Sequence, residues 1–284
     1  MAGDTRAPMS PSSGDESVDA ASLRRVIAPL LEDPDRAAVL TDIDGTIAPI
    51  VADPTEASVP RRTRDLLAEL ARRYALVAAL SGRRAEDARR VVGLDELTYS
   101  GNHGFELLLP GDSEPRPDPS LDGHEADASS FVEGLDPSEL DRAGIRAEDK
   151  GAIFALHWRG APNEAAAESL ANEIASEAER RGLVPHQGRK VLEIRPNVPI
   201  NKGIALASLI PAQPVDAALY GGDDRTDVDA FTALRTLQHD GQLSATACIG
   251  VASEESPPEV SGEADLVVRG PEGFAAVLEA LADR

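Results

Sequence analysis

Short runs of consecutive apolar residues alternate along this chain with longer stretches whose apolar positions recur every three or four residues. Residues 37–42 (AAVLTD) form such a run and end at a turn-prone Asp-Gly pair, which predicts a buried strand. Residues 60–74 have apolar residues at helical spacing behind an initial proline, which predicts an amphipathic helix. Residues 75–80 (ALVAAL) predict a second buried strand ending at Ser81-Gly82, followed by a helix over 84–92 and a strand over 97–100. Strands alternating with helices in this way indicate a parallel sheet with crossover helices.

The rhythm breaks after Pro110. Residues 111–121 are rich in Pro, Gly, Asp and Ser, like a linker. Beyond them come strand patterns at 153–158 and 190–195, with a long helical pattern at 163–181 between them. The alternation then resumes: helix 201–210, strand 215–220, helix 224–238, strands 245–251 and 264–268, and a closing helix 271–283. The predicted fold class is α/β, a Rossmann-like parallel-sheet core with an inserted smaller α+β cap domain. The core takes residues 21–110 and 197–284, and the cap residues 111–196. Residues 1–20, rich in Ser, Asp, Gly and Pro, read as a disordered tail without the basic start and apolar stretch of a signal peptide.

Composition narrows the partners. A formal net charge of -22 opposes phosphate backbones and anionic membranes, so nucleic acid and membrane partners are not expected, whereas a small anion held in a local basic pocket is. Apolar runs stay short of a membrane span. One cysteine, Cys248, permits no internal disulfide and fits a cytoplasmic setting. Only three lysines occur, Lys150, Lys190 and Lys202, in a chain that otherwise uses arginine. Lysine is a compact point charge and arginine a planar fork, so each remaining lysine invites a specific explanation.

The candidate chemistry lies at strand ends. Asp42-Ile43-Asp44-Gly45-Thr46 follows the first strand, at the sheet edge where ligands of open α/β folds bind. One carboxylate there can attack phosphorus, and a second, two residues on, can shuttle the proton of the leaving oxygen and of water. Gly221-Gly222-Asp223-Asp224, with Asp227 beyond, follows a later strand, and its carboxylates suit a hard cation such as Mg²⁺. Helix capping is an alternative role for Asp224 and Asp227. Ser81-Gly82-Arg83 can hold a phosphoryl oxygen or cap a helix. Lys202, at a helix start, can neutralise a phosphoryl group or lie on the surface.

In order, Asp-x-Asp-Gly-Thr, Ser-Gly-Arg, Lys-Gly and Gly-Asp-Asp-x-Thr-Asp resemble the haloacid-dehalogenase-like phosphatases. Within them the chain is similar to the trehalose-6-phosphate phosphatases, through Asn102-His103-Gly104-Phe105-Glu106, Lys150, His157-Trp158-Arg159, residues 191–196 (VLEIRP) and residues 222–231. The likeness covers roughly residues 37–280. It implies hydrolysis of trehalose 6-phosphate through an aspartyl-phosphate on Asp42, with Asp44 as general acid and base. It implies Mg²⁺ held by the Asp42 carboxylate, the Asp44 carbonyl and Asp223, with Asp224 or Asp227 acting through water. Ser81 and Lys202 would hold the phosphoryl group, with Ile43, Gly82 and His103 completing the contacts. Lys150, His157, Arg159 and Glu193 would read sugar hydroxyls from the cap. Two departures stand out. Trp158 occupies a position where the family often has Tyr, and Val228 one where it often has Glu. Residues 112–149 match poorly. Phosphatases of sucrose phosphate or mannosylphosphoglycerate would share the core residues, and a catalytically silent regulatory domain would need neither Asp42 nor Asp44.

Overall fold

A computed structural model describes residues 20–283 apart from 52, 189, 254 and 255. The tail expected over 1–20 lies outside the described residues except for Ala20, which opens a helix. In chain order the elements are α1 (Ala20–Glu32), β1 (Ala37–Thr41), α2 (Arg61–Ala71), β2 (Leu76–Leu80), α3 (Ala85–Val92), β3 (Thr98–Gly101), β4 (Glu106–Leu108) and β5 (Arg116–Pro117). There follow α4 (Asp127–Glu133), α5 (Pro137–Ala143), β6 (Arg146–Asp149), β7 (Phe154–His157), α6 (Glu164–Arg180), β8 (Val184–Gly188) and β9 (Val191–Arg195). The chain closes with α7 (Lys202–Leu209), β10 (Ala217–Gly222), α8 (Arg225–His239), β11 (Ala245–Ala252), α9 (Pro258–Glu263), β12 (Leu266–Arg269) and α10 (Gly270–Ala282).

The large sheet has the order β12-β11-β10-β1-β2-β3-β4-β5. It is parallel from β12 to β3, and β4 and β5 add antiparallel at one edge. The strand β5 pairs with β4 beyond Pro110, so the division expected at 110/111 falls inside the β4–β5 connection. Every residue of β1 and β2 is buried, which is why these strands read as continuous apolar runs rather than alternating ones. The pleat sends Val39 to one face, against α1, α2, α3 and α10, and Ala38 and Leu40 to the other, against α7, α8 and α9.

From β1 the chain steps outward to β2 and β3, and later returns on the other side of β1 to β10, β11 and β12. The order therefore reverses between β1 and β10, and the carboxyl ends of those two strands flank a crevice. Their paired register ends at Thr41 and Gly221, one residue before Asp42 and two before Asp223.

A second, antiparallel sheet has the order β6-β7-β9-β8. Leu156, Leu192 and Ile194 face α4, α5 and α6, where they pack with Phe131, Trp158 and Ile174. By the two-residue period, the opposite face carries Glu148, His157, His186, Glu193 and Arg195.

The helix α1 is a finding beyond the sequence expectations. Ile27 and Leu30 are fully buried against the main core. Ile27→Ala is expected to lower the free energy of unfolding by about 2–4 kcal/mol, measured by urea titration, because the surrounding sheet and helices cannot collapse into the void.

Candidate active site

Asp42 leaves β1 with its amide donating to the Gly221 carbonyl at 2.8 Å, so the two strand ends are tied together at the crevice. The following loop folds back through three amides, those of Thr46, Ile47 and Ala48, all donating to the Ile43 carbonyl. Ile43 as a whole residue is fully buried. Gly45 has φ +89°, and a Cβ there would lie 2.2 Å from Asp223 Oδ2. Only glycine lets the first acidic loop approach the second this closely.

Lys202 links the pieces. It opens α7 behind an Asn201 cap, is 2 % exposed, and places Nζ 2.7 Å from Asp42 Oδ1 and 2.7 Å from Asp227 Oδ1. Asp227 is fully buried and uses both oxygens twice. Oδ1 accepts from Lys202 and the Tyr220 hydroxyl, and Oδ2 accepts from the amides of Asp223 and Asp224. Asp224 caps α8, accepting from the amide and hydroxyl of Thr226. The capping role open to these two residues is thus present in the structure. Asp223 is different: among the described residues its Oδ1 receives only a long 3.3 Å bond from Thr46.

The charges do not balance. Burial, reinforced by Asp227, Asp223 and Asp224, pushes the Asp42 carboxyl well above its usual range against the pull of Lys202. Burial with Asp227 and Asp224 pushes Asp223 up to about 7. Asp224 falls to about 2, since Lys202 and Thr226 outweigh its own burial. Lys202 stays protonated despite burial because Asp227 and Asp42 face it. Asp42, Asp223 and Asp227 bring carboxylate oxygens within 4.8 Å of one another. Four carboxylates around one ammonium leave a surplus of negative charge that a divalent cation fits. With Asp227 already saturated by donors, Asp42 and Asp223 are the carboxylates with capacity left for it.

Asp44 points the other way. Both its oxygens accept from Arg83, at 2.7 and 2.8 Å, and Arg83 also donates to the Pro54 carbonyl. Ser81, 1 % exposed, follows β2 directly, with its hydroxyl accepting from the Arg83 amide and its carbonyl accepting from the His103 amide.

A second cluster joins the two sheets. Glu193 Oε1 accepts from Lys150 Nζ at 2.9 Å, Oε2 accepts from Arg195 at 2.5 Å, and His103 Nε2 lies 3.3 Å from Oε2. Lys150 Nζ also donates to the Gly82 carbonyl at 3.0 Å, so a residue of the small sheet's domain rests on the core's Ser-Gly-Arg turn. Burial opposes ionisation of Glu193, but the His103 hydrogen bond and the charges of Lys150 and Arg195 hold it well below the usual carboxylate range. Burial lowers His103 to about 4, so near neutral pH the neutral ring donates from Nε2 to Glu193. His157 lies apart from this cluster, bonded at 2.8 Å to Glu148 on the same sheet face, and Arg159 sits exposed in the turn after β7. Arg83, Glu148, Arg195 and Tyr220 join the site without having been assigned roles by the sequence reading. Alternation with Ile194 was the one signal for Arg195.

A capped α/β fold with an aspartate-rich crevice at its topological switch point defines a class of acid-lined, cation-ready sites. The trehalose-phosphatase family model matches residues 40–263. The trehalose-phosphate phosphatase of Mycobacterium marinum is 35 % identical over 244 residues, covering 80 % of this chain and 61 % of that protein. A protein of Mycobacterium tuberculosis described as an uncharacterized glycosyl hydrolase is 32 % identical over 210 residues, 70 % of this chain and 15 % of that one. The chain therefore spans only part of these relatives. The C-terminal domain of the Candida albicans trehalose-6-phosphate phosphatase shares the fold at a TM-score of 0.70, with 20 % identity over 95 % of this chain and 99 % of that domain. The chain belongs to the trehalose-phosphatase family.

His103 makes stability depend on pH in a definite direction. Below pH 6.5 an unfolded chain protonates this histidine, while the folded one resists until about 4, so stability falls as pH falls through that window. The loss attributable to it approaches about 3 kcal/mol at the acid end. Unfolding titrations at pH 7, 5.5 and 4.5 are expected to show wild type losing stability relative to His103→Gln by a growing margin.

Proposed function

We propose that this chain hydrolyses trehalose 6-phosphate to trehalose and inorganic phosphate, as a Mg²⁺-dependent phosphomonoester hydrolase acting on a small sugar phosphate in the cytoplasm. The observation that carries the reading is the buried Asp42–Lys202–Asp227 bridge beside the underused Asp223 carboxylate. Membership of the family whose relatives bear that name supplies the substrate. Among the described residues no helix is long and apolar enough to cross a membrane.

In this reading a carboxylate oxygen of Asp42 attacks phosphorus, and the bond from phosphorus to the sugar oxygen breaks. Asp44, released from Arg83 and taking up a proton from solvent, gives that proton to the departing oxygen. Water then attacks phosphorus, Asp44 takes the proton from water, and the bond to Asp42 breaks to free phosphate. Ser81 and Lys202 bind the phosphoryl oxygens, with the backbone at Ile43 and Gly82 beside them. Lys202 neutralises charge as it moves between oxygens, which is the larger part of what phosphoryl transfer asks of a protein. Mg²⁺ would be held by the Asp42 and Asp223 carboxylates and the Asp44 carbonyl. There it would supply neutralisation of the phosphoryl oxygens against a carboxylate nucleophile. Asp224 and Asp227 act behind this set, one as helix cap and one as anchor of Lys202 and the loop amides.

Where cap meets core, the cap's Lys150 and Glu193 and the core's His103 offer donors and acceptors for sugar hydroxyls next to the phosphoryl site. The Glu148–His157 pair and Arg159 extend that polar face. A site whose buried polar groups need partners discriminates against ligands that cannot supply them. Phosphate release from trehalose 6-phosphate, sucrose 6-phosphate, mannosylphosphoglycerate and glucose 6-phosphate would be compared. We expect preference for the first, loss of turnover in EDTA, background rates for Asp42→Asn, and a drop of about 10²–10⁴-fold for Asp44→Asn. Preference for another sugar phosphate would keep the core roles and refute the cap assignment. Inactivity on all of them would favour a silent domain.

A further inference from the structure

The segment between β3 and β4 holds a residue without a role in the chemistry above yet with unusual constraints. Asn102 is fully buried and has φ +49°, and His103 follows with φ +59°. Two consecutive non-glycine residues in the left-handed region are costly and persist only where surrounding contacts over-determine them. The contacts doing so are specific. The Asn102 amide donates to the Arg83 carbonyl at 2.6 Å, and the His103 amide donates to the Ser81 carbonyl at 2.8 Å. The side-chain Nδ2 of Asn102 donates twice, to Glu106 Oε1 at 2.9 Å and to the backbone carbonyl of Lys150 at 2.8 Å. Glu106 is itself fixed, its Oε2 accepting from the Ala85 amide at 2.9 Å.

The Lys150 carbonyl belongs to the cap. Its side chain carries the one ammonium that reaches from the cap to Gly82 and to Glu193. Beside this tie, Phe105 packs with Ile153 and Leu121, an apolar contact between the same two parts of the chain. The apolar contact can slide; the amide-to-carbonyl bond cannot without leaving a buried donor unpaired.

We propose that Asn102 is a positioning residue that registers the cap on the core, holding the Lys150 backbone so that its ammonium stands over the Ser81-Gly82-Arg83 turn and against Glu193. Glu106 orients the Asn102 amide so that Nδ2 faces Lys150. The proposal deepens the phosphatase reading and rests on it for the consequence in catalysis, but the tie itself is testable without any substrate.

The three lysines serve as reporters. In free wild-type protein, Lys190 is exposed, Lys150 is largely covered and Lys202 is buried. Amine labelling with quantitative mass spectrometry reads each rate separately. Asn102→Gly keeps the left-handed backbone and removes the tie. Asn102→Asp keeps the shape and replaces the donor by an acceptor. In both variants we expect Lys150 labelling to accelerate by about tenfold or more, the scale of one to two lost hydrogen bonds, while Lys202 stays protected. KM for trehalose 6-phosphate is expected to rise by a similar factor, whereas turnover of p-nitrophenyl phosphate, which has no sugar for the cap to read, stays within about twofold.

Unchanged Lys150 labelling in both variants overturns the proposal. So does exposure of Lys202 in both, which would make Asn102 a residue of core stability. An equal fall in turnover of both substrates would also overturn it. A wild-type chain that ignores trehalose 6-phosphate but shows the lysine pattern would sink the substrate reading and leave the positioning role intact.

Discussion

The ammonium of Lys202, held 2.7 Å from Asp42 and 2.7 Å from Asp227 with almost no access to water, sets the terms for the rest of the site. A buried charge is tolerable only when paired and fully hydrogen-bonded, and losing one partner of such a pair typically costs about 3–5 kcal/mol. Here the pairing joins three stretches far apart in sequence: the end of β1, the start of α7 and the first turn of α8. Asp227 completes the arrangement by accepting from Tyr220 and from two amides of the β10 loop. Because Asp227 holds the loop, Asp223 need not, and its carboxylate remains available beside Asp42. Division of labour among neighbouring aspartates makes the difference between a capped helix and a candidate cation site, and both are present at once.

The cap shows the same logic with the signs changed. Leu156, Leu192 and Ile194 face its helices while His157, Glu193 and Arg195 face the other way, so a two-residue period separates packing from the polar cluster on one sheet. Glu193 accepts from Lys150 and Arg195 and meets the core's His103, so one buried acid stands between two cations where the core sets one buried ammonium between two acids. A chain of formal charge -22 repels phosphate at long range. Lys150, Arg195, Lys202 and Arg83 gather where cap meets core, but each is already paired with a carboxylate, so the crevice keeps a surplus of negative charge that a cation would have to offset before an anion could enter.

How much of this could be read from the sequence depended on how local the cause was. The buried strands β1, β2 and β10 were legible because burial on both faces leaves an unbroken apolar run, and the acidic loops were legible because they follow those runs. The helix α1 was missed: it adjoins a polar, proline-rich segment and carries Pro29, so its apolar spacing was not weighed. The strands β4, β5 and β6 were missed because they are two to four residues long, and β5 and β6 are exposed, which leaves no hydrophobic pattern. Glu148 lies in β6 and went unseen with it. The Asp44–Arg83 fork spans 39 residues and the Asn102–Lys150 tie 48, and no local pattern announces a partner at such distances.

The scarcity of lysine invited a separate explanation for each, and the structure gives them different surroundings. Lys202 must satisfy two carboxylates from different elements at equal distance in a closed space, which suits a compact ammonium with three rotatable donors. Arg83 meets a different requirement, gripping both oxygens of one carboxylate, which suits a planar fork. Exchanging the two residue types would fail at both places for geometric reasons while leaving formal charge unchanged. Lys190, however, pairs with Glu164 at the surface near the end of the cap sheet, where either cation would serve. Rarity therefore coincides with a closed, multiply paired position at Lys202 and with an ordinary surface pair at Lys190.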